Sequence, residues 1–274
     1  MSISRQNLSI VIVTLKSEKV IRECIESIDQ NIPIIVVENS KNYKFKENLE
    51  SQYKNLKCTV TKKNLGMGAA NNIGINLANT DYVYILNPDT TLEKNALENL
   101  FKASNEISDF SIISPIHSDN NSPNWKNKIE KEFDKSKPFE VESIDGFSMI
   151  INKKKFNNNY FDENFFLYLE NDDLCLRIKR KKEFIYVITN SFINHKGGIA
   201  TTKSLEYLRN WHWMWSKFYF NKKHYGFFVA FLKILLNLIS ALLKYLFYLV
   251  IFNSHKKTIY KMRICGIYSS ILGK

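Results

Sequence analysis

Residues 58–89 read CTVTKKNLGMGAANNIGINLANTDYVYILNPD. A short β-branched run at 58–61 gives way to a glycine-bearing loop at 64–68, after which Met67, Ala70, Ile73, Gly74, Leu77 and Ala78 recur at helical spacing. The apolar run 82–86 that follows has the length of a strand, and it stops at Asn87-Pro88-Asp89. The stretch is therefore one strand–helix–strand unit. The same alternation extends outward in both directions. Upstream, the run 8–13 precedes Val20, Ile21, Cys24, Ile25 and Ile28 on one helical face, and Pro33 introduces another run at 34–37. Downstream, Leu92, Ala96, Leu97 and Leu100 mark a helix and 110–114 a strand. Four such units imply an α/β fold, with parallel strands and helices on both faces. Open sheets of that kind bind ligands beyond the carboxyl ends of their strands, so loops 14–17, 38–40, 64–68 and 87–89 are the ones expected to carry chemistry.

Residues 117–142 are polar and aperiodic and read as a surface excursion; order resumes at 143–152, 165–177 and 184–188. A content of 45% hydrophobic and 24% charged residues is that of an ordinary globular protein. The net charge of +12 is unevenly placed: residues 206–274 hold eleven Lys or Arg and a single acid, Glu206. A near-neutral domain over 1–205, joined to a basic, aromatic-rich segment over 206–274, is the expected organisation. Cys24, Cys58, Cys175 and Cys265 are widely spaced, which argues against a zinc site or a disulfide scaffold and suits a reducing compartment. The first residues, MSISRQNLSIVIV, hold only a short apolar run and no small-residue cleavage site, so a first strand is expected there rather than a signal peptide.

Four constellations could carry chemistry. Asp89, directly after a strand, suits a divalent cation because hard cations prefer oxygen ligands; equally, Asn-Pro-Asp is a turn sequence, and Asp89 could cap a helix starting near Thr91. Glu170, Asp172 and Asp173 crowd three acids into an apolar setting led by Phe165, Phe166 and Tyr168, which raises a carboxyl pKa toward that of a proton acceptor. One of the two aspartates is expected to cap a following helix, leaving Glu170 ahead of the cap. Asn64-x-Gly66-x-Gly68-x-x-Asn71 has the look of a phosphate loop at a helix start. As a dinucleotide fingerprint it lacks the third glycine and follows the third strand instead of the first. His195, before Gly197-Gly198, is by itself unremarkable.

Taken in order, VVENS (36–40), NLGMGAANNIG (64–74), YVYILNPDT (82–90), YFDENFFLYLENDDLCLRI (160–178) and NHKGG (194–198) resemble the inverting glycosyltransferases of family 2, and among them the rhamnosyltransferase-like enzymes of cell-surface polysaccharide synthesis. The resemblance runs from about Leu8 to Thr202. It implies the GT-A fold, a Rossmann-like mixed α/β sheet with helices on both faces. It places Thr14 and Glu38 at the nucleotide base, where relatives usually carry Asp in place of Glu38. Asn64, Gly66 and Asn71 would lie near the nucleotide and sugar, and Asn87 near the ribose or metal. Asp89 becomes the metal ligand, with His195 near the metal and diphosphate; Mg²⁺ or Mn²⁺ is the implied cofactor. Glu170 and Asp173 fall on the Glu and the last Asp of the family's acidic catalytic motif, with Asp172 at the variable position between them. Asn171 stands where many relatives have the general base, so that role passes to Glu170, or failing it to Asp172. The implied partners are a dTDP- or UDP-sugar, with rhamnose the first guess, and a saccharide or lipid-linked acceptor. The rivals are a degenerate transferase fold acting as a membrane scaffold, which Asn171 motivates, and a dinucleotide-dependent oxidoreductase.

The C-terminal run 227–252 is long enough to cross a bilayer. Lys233, Asn237, Ser240 and Lys244 nevertheless form one polar stripe on it, and a lysine at the centre of a spanning helix costs roughly 2.5–3.5 kcal/mol. A helix lying in the interface, its stripe solvated and its other faces in lipid, avoids that cost. The sequence thus favours an amphipathic, monotopic anchor over a span or over a helix packed on the catalytic domain or in a homodimer. Trp211, Trp213, Trp215, Lys222, Lys223, Lys256 and Lys257 suit an anionic headgroup layer, at the cytoplasmic face of a bacterial inner membrane. So apolar a tail is a poor nucleic-acid surface.

Overall fold

The computed structural model describes residues 2–107, 109–119, 122–127, 137–197 and 203–274. The chain divides into two compact units: Met1–Glu163 with Glu170–Gly197, and Asn164–Leu169 with Gly198–Lys274. The sequence suggested one boundary after residue 205; in the structure the short stretch Asn164–Leu169 belongs with the C-terminal helices.

In the larger unit the apolar runs form β1 (Leu8–Thr14), β2 (Ile34–Glu38), β3 (Leu56–Val60) and β4 (Tyr82–Leu86), all parallel in the order β3-β2-β1-β4. Between them lie α1 (Ile21–Glu26), α2 (Tyr43–Gln52) and α3 (Met67–Leu77). Every residue of β1 and β4 is buried, and so these strands read as continuous apolar runs and not as alternating ones. Helix α3 lies so close to β1 that a Cβ on Gly74 would stand 2.4 Å from Val11 Cγ1.

After β4 come β5 (Thr90–Leu92), α4 (Ala96–Glu106), β6 (Ile112–His117), β7 (Trp125–Lys126), β8 (Phe139–Glu140), β9 (Ser143–Ile144), β10 (Ser148–Asn152), α5 (Glu170–Arg180) and β11 (Ile185–His195). The sheet order is β3-β2-β1-β4-β10-β6-β11-β5, with β8 alongside β11. Strand β10 runs antiparallel to both β4 and β6, while β11 is parallel to β6 and antiparallel to β5. The parallel arrangement implied by the β-α alternation holds for the first four strands, and the sheet as a whole is mixed, as the family resemblance implied. Among the described residues no helix lies between β6 and β10, and β10 runs back along β6 in the opposite direction. The expected surface excursion contributes β7, β8 and the buried Asn124; residues 120–121 and 128–136 of it lie outside the described residues. Leu92 belongs to β5, and α4 starts only at Ala96, after Asn95 in the left-handed region (φ 64°).

The smaller unit consists of α6 (Lys203–Tyr225), α7 (Phe227–Val250) and α8 (Ser254–Ile271), packed around Met214, Phe218, Ala230, Ile234 and Ile267. Asn164–Leu169 lies on α6: the Phe165 and Tyr219 rings are 4.9 Å apart, Phe166 stacks on His212 at 4.5 Å, and Ser216 Oγ donates to Leu167 O. On α7, Ala230, Ile234 and Ala241 are buried, whereas Phe228, Leu232, Leu236, Leu243 and Val250 are exposed. Of the polar stripe, Lys233, Ser240 and Lys244 are exposed and Asn237 is half-buried, and three of the four also have partners. Lys233 Nζ lies 4.0 Å from the Tyr225 ring centre, Asn237 Oδ1 accepts from Lys217 Nζ, and Lys244 Nζ lies 5.5 Å from the Tyr260 ring. Exposed apolar side chains lie next to the stripe along the same helix.

Candidate active site

Thr14 and Glu38 end β1 and β2 as register partners, and both are buried. Thr14 Oγ1 donates to Glu38 Oε2 at 2.6 Å; the Ser40 amide (2.7 Å) and the Ser40 hydroxyl donate to Glu38 Oε1. Asn39, which the sequence did not single out, ties the next loop down. Its Nδ2 donates to Asn64 Oδ1 and Gly66 O, and its Oδ1 accepts from Leu65 N and Thr61 Oγ1. Asn64 Oδ1 also accepts from Gly66 N, and Gly66 holds φ 86° immediately before α3, a conformation suited to glycine. A strand-end Asn within VVENS reads as a turn residue, so only its four partners reveal this role. Asn71, on α3, is buried and its Oδ1 has no hydrogen-bond partner.

Asn87-Pro88-Asp89-Thr90 is a turn, with Asn87 O accepting from Thr90 N (3.2 Å) and Thr90 Oγ1 (2.7 Å). Asp89 caps no helix, because Thr90–Leu92 is a strand. That strand pairs with β11, Thr90 opposite His195, which brings His195 Nε2 to 3.3 Å from Asp89 Oδ1. The same pairing lets Lys196 N donate to Asp89 O. Phe147 stacks on the His195 ring (4.2 Å, 18°), His117 meets both rings edge-on, and Phe147 O accepts from Asn87 N. Neither His117 nor Phe147 was anticipated, since both reach the site through β6 and β10. Gly198 and residues 199–202, the end of the matched stretch, lie outside the described residues.

Helix α5 begins at Glu170, earlier than the cap at Asp172 or Asp173 that the sequence suggested, so all three acids occupy its first turn. Negative charge is favoured there. The three then differ. Asp173 is wholly buried against Arg177 Nε (2.9 Å), whose other nitrogens donate to Asn159 O and Tyr160 O. Asp172 meets Lys126 Nζ at 3.4 Å. Glu170 is 8% exposed with Oε2 unpartnered, and burial, aided by the Asp172 charge, pushes its carboxyl from the ordinary 4.5 to about 7. Asn171 Nδ2 donates to Ile144 O, and Asn171 abuts Gly146, where a Cβ would stand 3.4 Å away. A Cβ on Gly68 would likewise stand 3.7 Å from Glu170 Cβ. Asp89 and Glu170 therefore share one end of the sheet, joined through Asn87, Phe147, Gly146 and Asn171. Asp145, also unanticipated, sits among these groups. Burial raises its carboxyl pKa against the pull of Lys126, with Asp172 adding to the rise and His195 and His117 opposing it.

Among the described residues, no three His, Cys, Asp or Glu side chains gather as a closed metal site. Asp89 and His195 do aim an oxygen and a nitrogen at one another. A pair of that size suits a cation that takes its remaining ligands from phosphate and water, as Mg²⁺ commonly does. Of the four buried side-chain atoms without a partner among the described residues, three belong to Asn71, Asn87 and Glu170, all expected at this site. Buried polar groups are rarely left unpaired away from function.

Solved structures share the architecture. The chain matches the mannosyltransferase PcManGT of Pyrobaculum calidifontis in complex with GDP-Man and Mn²⁺ (TM-score 0.59, 11% identity, 98% of this chain and 88% of that one). It also matches GalNAc-T7 with UDP, GalNAc and Mn²⁺ (0.56, 13%, 80% and 51%) and S. aureus TarS 1-349 (0.53, 13%, 98% and 92%). These likenesses establish the GT-A fold. In sequence, the low-salt glycan biosynthesis hexosyltransferase Agl10 of Haloferax volcanii is 26% identical over 194 residues, 64% of this chain and 62% of that relative's length. The profile of the family described as "Glycosyl transferase family 2" matches residues 9–175, more than half of the chain, so this protein belongs to glycosyl transferase family 2.

Proposed function

We propose that the protein transfers a hexosyl or deoxyhexosyl residue from a nucleotide-sugar to an acceptor hydroxyl, with inversion at the anomeric carbon. The observation that carries this reading is that the Asp89–His195 pair and Glu170, whose Oε2 has no partner, lie at the same end of the sheet. Glu170, with its pKa near neutrality, takes the proton of the acceptor hydroxyl as that oxygen bonds to the anomeric carbon and the bond to the diphosphate breaks. Asp172 is the second choice as base, although Lys126 already engages it. Asp173 is a positioning residue that fixes α5 through Arg177. Asp89 and His195 would hold Mg²⁺ or Mn²⁺, which neutralises charge on the diphosphate leaving group. The Thr14–Glu38 pair would face the base, and Asn64, Gly66, Asn71 and Asn87 the ribose, phosphates and sugar. Complexes of similar folds with UDP or GDP-Man and Mn²⁺ support a donor of this class.

The acceptor we propose is a saccharide or lipid-linked saccharide at a membrane surface. Helix α7 is long and apolar enough to cross a bilayer, yet only 17% of its apolar window is buried. Its apolar exposure beside many lysines supports a monotopic attachment to anionic lipid. The test is a panel of dTDP-rhamnose, UDP- and GDP-sugars, with and without Mn²⁺, scored by thermal shift and by nucleoside diphosphate release. One donor should stabilise the protein in a Mn²⁺-dependent way and be turned over. Binding without turnover for every donor and acceptor would favour the scaffold reading; no binding at all would overturn both.

A further inference from the structure

Residues 203–274 carry one acid, Glu206, and it is already engaged by His255 Nε2 at 2.9 Å. Asn164–Leu169, which belongs to the same unit, carries none. The unit's cations thus have almost no internal counter-charge. Three of them turn toward the same region between α6, α7 and α8: Lys217 at Asn237, Lys244 over the Tyr260 ring, and Arg263, whose Nε donates to Asn210 Oδ1 at 2.7 Å. The Arg263 guanidinium also lies 5.3 Å from the Tyr260 ring centre. Among the described residues no carboxylate pairs with Arg263, Lys217 or Lys244.

Of the three cations, Arg263 lines a cavity of about 180 Å³, together with Asn237, Ser240 and Tyr260 on its polar side and Met214, Leu236 and Ala241 on its apolar side. That is several times the volume of about 30 Å³ that one water occupies. Leu236 is 76% exposed, so the cavity opens onto the apolar side of α7. A site with planar guanidinium and hydroxyl donors, no acid, and a mouth on an apolar surface matches a phosphate that carries hydrocarbon chains. Arg is the side chain best shaped to bind phosphate through paired donors.

We propose that this cavity binds the phosphate of an anionic lipid headgroup, with the Arg263 guanidinium as anchor, the Ser240 hydroxyl as a donor, and the acyl chains lying along the exposed Leu and Phe side chains of α7. The proposal rests on the membrane attachment argued above and adds a defined, single-lipid site to it. Part of the polar stripe on α7 then has a function: Asn237 and Ser240 line the cavity.

The experiment uses the full chain in non-ionic detergent, titrated with phosphatidic acid, phosphatidylcholine or inorganic phosphate, with retained lipids counted by native mass spectrometry. The expected result is one phosphatidic acid held at least tenfold more tightly than phosphatidylcholine. Arg263→Gln should lose that preference at least tenfold, and Lys257→Gln, which removes the same charge outside the cavity, should change it less than twofold. Ser240→Leu obstructs the cavity at an exposed, helix-compatible position, so it tests the site should Arg263→Gln fold poorly; it too should lose the bound lipid. Equal losses in the Arg263 and Lys257 variants would replace the site with diffuse surface charge and overturn the proposal. Inorganic phosphate binding as tightly as the lipid, or a Ser240→Leu variant that keeps its lipid, would overturn it too. Flotation with vesicles of mixed phosphatidylcholine and phosphatidylglycerol reads the membrane attachment separately: both cavity variants should still float. A wild-type chain that does not float defeats the attachment, and with it the lipid source of the phosphate.

Discussion

Glu170→Gln should move activity and stability in opposite directions. The folded chain holds the Glu170 proton with a pKa of about 7, against an ordinary 4.5, mainly because the carboxyl is buried. Below pH 4.5 the group is neutral in both folded and unfolded chains and contributes fully to stability. As pH rises through 7 the folded state must ionise a buried acid, and that contribution is lost. At 1.36 kcal/mol per pKa unit the loss is about 3 kcal/mol. Glutamine never ionises and escapes it. Chemical denaturation without donor should therefore find the variant about 3 kcal/mol more stable than wild type at pH 8.5, and close to it at pH 4.5. For a chain of this size that is a rise in Tm of several degrees. Turnover at pH 8.5 should fall at least tenfold, since general-base catalysis typically contributes ~10²–10⁴-fold, while donor binding stays nearly unchanged. In wild type kcat/KM should rise with pH through about 7 as the base form appears. A variant that keeps wild-type turnover would refute Glu170 as the base. A stability difference that does not change with pH would refute its burial as the source of the raised pKa.

Asp89→Ala should abolish the Mn²⁺-dependent part of the donor's thermal shift; an unchanged shift would remove Asp89 from the cation site. Phe147→Ala takes away the ring stacked on His195 and should weaken apparent Mn²⁺ affinity roughly tenfold, within the range for groups that orient a metal ligand. Gly74→Ala drives a methyl to 2.4 Å from Val11 Cγ1 and should cost roughly 1–3 kcal/mol by urea denaturation, for an overpacked interface. Leu232→Ser and Leu243→Ser, both on the exposed side of α7, should each weaken vesicle flotation roughly tenfold without lowering Tm, since burying such a side chain is worth about 1.5–3 kcal/mol.

The sequence by itself determined the first four strands and the loops that follow them. Runs such as 8–13 and 82–86 have no long-lived alternative to a buried strand, and Asn87-Pro88-Asp89 must turn wherever it lies. It also isolated the basic C-terminal segment, because charge is counted and not folded. Tertiary structure decided what those loops face. Strand β10 enters antiparallel between β4 and β6, and only that pairing delivers Phe147 and Gly146 to the Asn87 turn. Asp89 meets His195 because β5 pairs with β11 across about a hundred residues of chain, a long-range hydrogen-bond register that no local pattern encodes. The sequence set Glu170 apart from the two aspartates but not their partners: Asp173 is locked to Arg177, Asp172 reaches Lys126, and Glu170 is buried with Oε2 unpartnered. Periodicity likewise found the stripe on α7 but could not say what it faces. The identity of a residue fixes which charge or hydrogen bond it can offer; the partner and the local dielectric, which set its pKa and its role, exist only once distant segments have packed together.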